Sequence, residues 1–124
     1  MDLVERVEGV KHGACLLPVI HYADDNQAMR NAERAIEAGC EGVMLIEMSG
    51  RNAGLVSAGA MIKRRWSSAH VGINHLSTET EKAVCTSLGA GVDSTWTDEQ
   101  LTHSSGSADW EARRVVRGVQ VSGP

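Results

Sequence analysis

Apolar positions in this chain fall into two alternating rhythms. Continuous apolar runs of strand length occupy 13–21, 42–48 and 70–76, with a less apolar fourth at 91–96. Such runs suit strands buried on both faces of a parallel sheet. Between them, apolar residues recur at helical spacing: Ala28, Ala32, Ala35 and Ile36 over 27–38, Leu55, Ala58, Met61 and Ile62 over 55–66, and Ala83, Val84 and Leu88 before Gly89. The order strand, helix, strand, helix, joined by short connections, predicts an α/β chain of about four βα units with right-handed crossovers.

Local punctuation agrees with this order. Asp24-Asp25-Asn26 supplies capping residues before the first helix, and Ser77-Thr78-Glu79-Thr80-Glu81 supplies a start for the third. Lys63-Arg64-Arg65 places positive charge at the end of the second helix, the sign favoured by the helix dipole. Pro18 removes a ladder donor from the first strand and marks it as an edge strand or a bulge. A joint is written twice, as Ala38-Gly39-Cys40-Glu41-Gly42-Val43 and as Leu88-Gly89-Ala90-Gly91-Val92-Asp93. In each, the first glycine is expected to cap a helix and the second to let the chain turn closely onto the sheet. Residues 13–98 form the core of a single expected domain spanning 1–124. After Asp98 the pattern loosens into a polar loop at 102–107, a short helix at 109–117 and a stub of a fifth strand at 118–122.

Composition narrows the function classes. Apolar residues make up 42% and charged residues 23% of 124, an ordinary globular balance. The net charge of −4 is spread out, with Arg113-Arg114 the only basic pair beyond the one ending the second helix, so no cationic stripe for nucleic acid is present. Cys15, Cys40 and Cys85 are odd in number and far apart, which favours free buried thiols in a reducing compartment. The first residues lack a basic-then-apolar leader, and no apolar run approaches the roughly 18 residues of a membrane span. A cytoplasmic protein without a membrane partner is expected.

Pro18-Val19-Ile20-His21, Ala38-Gly39-Cys40-Glu41-Gly42-Val43, Val71-Gly72-Ile73-Asn74, and Leu88-Gly89-Ala90-Gly91-Val92-Asp93 followed by Trp96-Thr97-Asp98 resemble the first four units of (β/α)8 TIM-barrel proteins. More distantly, they are similar to the BtpA-like family and to phosphate-binding barrels such as phosphoribosylanthranilate isomerase. The likeness covers most of 13–98 and implies a half barrel with its sheet in the order 1-2-3-4. A whole barrel takes roughly 250 residues and binds phosphate after its seventh and eighth strands. The resemblance therefore implies a phosphate-ligand activity only if a second chain supplies the other half. A homodimer completing the sheet is the expected partner arrangement, because four parallel strands leave two open edges.

Barrel sites gather at the C-terminal ends of the strands. The candidates there are His21 and Glu47 as catalytic acid or base, and Asn74, Asp98 and Trp96 as ligand-binding residues. A turn or helix-capping role is the plainer alternative for the polar ones. If Val43, Leu45 and Glu47 point inward, Glu47 is aimed into the ring; Asn74 and His75 must lie on opposite faces, so at most one joins it. His21, Glu47 and His75 have metal-ligand chemistry but no short shared spacing, and no metal is assigned. No Gly-x-Gly-x-x-Gly, P-loop or Gly-x-Ser-x-Gly motif occurs, so no cofactor is assigned. Three readings stay open: a small-metabolite enzyme or its degenerate relative, a non-catalytic half barrel that folds and self-associates, and a binding module of flavodoxin-like topology, which would place strand 1 inside the sheet.

Overall fold

A computed structural model describes residues 15–49, 52–76 and 78–98, without the side chains of residues 52 and 53. The expected helix at 109–117, the strand stub at 118–122, the loop at 102–107 and the start of the first apolar run lie outside these residues. Along the chain come β1 (Val19–His21), α1 (Asp25–Glu37), β2 (Gly42–Ile46), α2 (Asn52–Arg65), β3 (His70–His75), α3 (Thr80–Ala90) and β4 (Ser94–Thr97). The four strands form one parallel sheet in the order β1-β2-β3-β4. With β1 at an edge, the flavodoxin-like order is excluded.

α1 packs on α2 and α2 on α3, so the helices form one layer on one face of the sheet, as successive right-handed crossovers require. Between the layers lie Ile20, Val43, Leu45, Val71 and Ile73 from the strands, with Leu55 and Ile62 from α2. Each large aliphatic side chain buried there contributes roughly 1.5–3 kcal/mol. Ala28 and Ala32 are fully buried on α1, where small side chains let that helix lie close to the strands.

The ends of the elements follow local chemistry. Asp24 accepts a hydrogen bond from Gln27 N at 2.8 Å and opens α1 one residue after the polar cluster begins. β1 is shorter than its apolar run. Pro18 stands just before it and contributes only its carbonyl, which accepts from Met44 N at 2.9 Å. The repeated joint is not the same joint twice. Gly39, at φ 93°, follows α1 as a left-handed residue. In the second copy Gly89 stays inside α3, and Gly91, at φ 76°, takes the left-handed cap. Gly42 does bring the backbone onto the sheet, since a Cβ there would run into the backbone of its register partner His70. α3 begins without a side-chain cap: Glu79 makes no capping bond, and Thr78 Oγ1 turns back to Leu76 O at 3.3 Å.

Candidate functional site

Register decides which residues share a face. Ile20, Leu45, Ile73 and Thr95 are consecutive partners across the sheet and point toward the helices. The next residue on each strand points the opposite way, so His21, Ile46, Asn74 and Trp96 form a second row, on the face the described helices leave open. Strands about 4.8 Å apart make this row roughly 14 Å long. It lies at the C-terminal ends of the strands and unites His21, Asn74 and Trp96, three of the five residues expected from sequence.

The row is part polar and part apolar. His21 is exposed, Ile46 and Asn74 are half-buried, and the Trp96 indole is 62% exposed. Asn74 Oδ1 is buried and meets no hydrogen-bond donor among the described residues. One step toward the N-terminal ends lie Val19, Met44, Gly72 and Ser94. Gly72 has no side chain, and Met44 occupies that space: a Cβ at Gly72 would strike Met44 Sδ and Ser94 Oγ. Ser94 Oγ meets Met44 Sδ at 3.7 Å and His70 Nε2 at 2.8 Å, which fixes the floor beneath the row.

Glu47 takes a different position. Val43 and Leu45 face the helices, so the parity that would have aimed Glu47 into the ring is reversed; Met44 and Ile46 face the open side instead. Glu47 Oε1 accepts from Ser49 N at 3.1 Å and Ser49 Oγ at 2.6 Å. It lines an open cavity of about 360 Å³ with Tyr22, Ala23 and Gly54. Tyr22 OH donates to Asp25 Oδ1 at 2.8 Å, and that bond, more than burial or the nearby charges of Asp25 and Asp24, raises the phenol above its ordinary pKa. A Cβ at Gly54 would come within 2.9 Å of the Tyr22 hydroxyl, so glycine is what admits the tyrosine there.

His75 points into the helix layer, 1% exposed, with Nε2 at 2.9 Å from Ser87 Oγ, and burial lowers its pKa. His21, Glu47 and His75 therefore do not converge. Among the described residues no three His, Cys, Asp or Glu side chains are grouped to hold a metal ion. Asp98 is exposed just past β4 and outside the row. Cys15, Cys40 and Cys85 are free thiols, half-buried rather than fully buried.

Sequence reasoning passed over Ile46, Met44, Gly72 and Ser94, which make the wall and floor, and Tyr22, which shapes the neighbouring cavity. Their signal was the strand register, which a single sequence does not print. No family model matches the chain, and no curated protein matches it. Among the described residues no helix is long and apolar enough to cross a membrane.

Proposed function

We propose that this protein binds a small metabolite on the open face of its sheet, at the C-terminal ends of the strands. The observation that carries this reading is Asn74 Oδ1, a buried acceptor without a donor among the described residues, set between Ile46 and Trp96. A buried polar atom left unsatisfied costs about 1–3 kcal/mol, and a ligand N–H or O–H would recover it. Ile46 and Trp96 offer apolar and aromatic surface to a flat ligand body. His21, on the same row, and Glu47, from the adjoining cavity, are the acid–base candidates should the ligand be turned over. The strand order supports a half-barrel arrangement, and the likeness to BtpA-like and phosphoribosylanthranilate isomerase-type barrels rests on the sequence motifs alone. Free thiols support a cytoplasmic setting.

A library of small metabolites read by the indole N–H resonance of Trp96 tests the proposal. Binders should shift that resonance, and Asn74→Leu should weaken them at least tenfold while raising the stability of the ligand-free protein by about 1 kcal/mol. A library without a binder, or binders indifferent to Asn74→Leu, would remove the reading.

A second reading, a non-catalytic half barrel that self-associates as a homodimer, is favoured by a different observation. Val19 and Trp96, at the two ends of the open face, are 58% and 62% exposed.

A further inference from the structure

Cys15 and Cys40 are far apart in sequence, and the fold brings their backbones together just before β1 and β2. Leu16 N donates to Glu41 Oε2 at 2.6 Å, and Glu41 N donates to Leu16 O at 3.2 Å. These bonds pair the residue that follows one cysteine with the residue that follows the other. The β1–β2 register, carried back from the Val19–Met44 pair, sets Cys15 opposite Cys40. The Glu41–Leu16 backbone bond is offset from that register by one residue and sets the two cysteines diagonally. With strands about 4.8 Å apart and about 3.3 Å per residue along each, either phase keeps the two Cα atoms within the roughly 4.4–6.8 Å that a disulfide spans.

Both residues are half-buried, so a small reagent can reach them. Burial, and after it the Glu41 carboxylate, raises the Cys15 thiol above its ordinary pKa, which sets that sulfur near residue 41 as well. Cys85 lies elsewhere, on α3, which packs against α2 and β4. β1 itself is only three residues long, and Pro18 ahead of it has no backbone N–H to donate. A covalent tie at the entry of this strand adds most where the ladder is shortest.

We propose that Cys15 and Cys40 are a reversible redox pair, a dithiol in the reduced protein that closes to a disulfide and fastens the entry of β1 to the joint before β2. The oxidant is a small disulfide of the glutathione type. The Cys40 thiolate attacks one of its sulfurs, which forms a mixed disulfide and releases one glutathione thiolate. Cys15 then gives up its proton, its sulfur attacks Cys40 Sγ, and the second glutathione thiolate leaves. Two protein thiols lose two electrons and two protons, and one glutathione disulfide becomes two thiols. Cys40 takes the first step because burial and Glu41 hold Cys15 protonated. The new bond closes β1 and α1 into one loop and so restricts the unfolded chain.

The test equilibrates the unmodified full-length protein with oxidised and reduced glutathione, blocks the remaining thiols by alkylation, and locates the links by mass spectrometry of the digest. The expected result is a link joining Cys15 to Cys40 within one chain, undone by dithiothreitol, with Cys85 outside it. The oxidised chain should unfold at a higher urea concentration than the reduced one. Cys15→Ser should keep glutathione on Cys40, and Cys40→Ser should carry less of it on Cys15. If either variant does not fold, the link mapped in the unmodified protein decides instead. Cys15 and Cys40 both alkylated, each left carrying glutathione, or joined only across two chains would overturn the pair. A link that leaves the urea midpoint unchanged would overturn the fastening of β1.

Discussion

Protonating His75 would set a charge between sheet and helices, where the imidazole has Ser87 Oγ as its hydrogen-bond partner. Burial therefore holds its folded-state pKa below the 6.5 of a free imidazole. The neutral ring contributes its full stability above pH 6.5. As pH falls below that value the unfolded chain takes up a proton that the folded chain resists, and stability is lost down to the folded-state pKa, by at most about 1.4 kcal/mol per pH unit for one proton. Urea unfolding at pH 7.5 and pH 5.5 should show this loss, and His75→Asn should reduce it. Equal losses in the two proteins would assign the pH dependence to other groups.

Where elements join, the N-terminal ends of the strands are held by Lys63 on α2. Its ammonium donates to Asp93 Oδ2 and to Ala69 O, both at 2.8 Å, and Asp93 Oδ2 also accepts from Val71 N at 2.9 Å. One carboxylate thus ties α2 to β3 and to the start of β4. The side chains are 16% and 5% exposed, so removing the cation strands a nearly buried carboxylate. Lys63→Met should cost about 3 kcal/mol in chemical denaturation, more than Asp93→Asn, which leaves the more exposed ammonium, rather than the more buried carboxylate, without its counter-ion. The β2–β3 contact is as demanding at Gly42. A methyl there meets the His70 backbone rather than a movable side chain, so Gly42→Ala should lower stability by about 3 kcal/mol. Gly72→Ala should cost less, because Met44 can turn aside. A smaller loss for Gly42→Ala than for Gly72→Ala would mean that the strands do not approach as closely as described.

Over the whole molecule, the alternation of apolar runs and helical stripes carried the element order, and Pro18 pointed correctly to an edge strand. Single sequence reading could not weigh the two glycines of the second joint, because Gly89 and Gly91 are equally able to end a helix and only packing against the sheet selects one. The candidate site was legible in part for a similar reason. His21, Asn74 and Trp96 announced themselves by ending strands, but their union in one row depends on register, a relation between strands and not a property of any one of them. Glu47 failed to join the row because its strand starts on the opposite parity, and parity is set by which of Val43 and Met44 finds the helices.

The strand order has one more consequence. Each strand pairs with the strand made just before it, roughly 25 residues earlier along the chain. During synthesis every new strand therefore emerges beside a finished partner, and the sheet can grow from its first edge at the pace of the ribosome, without waiting for a distant segment to arrive.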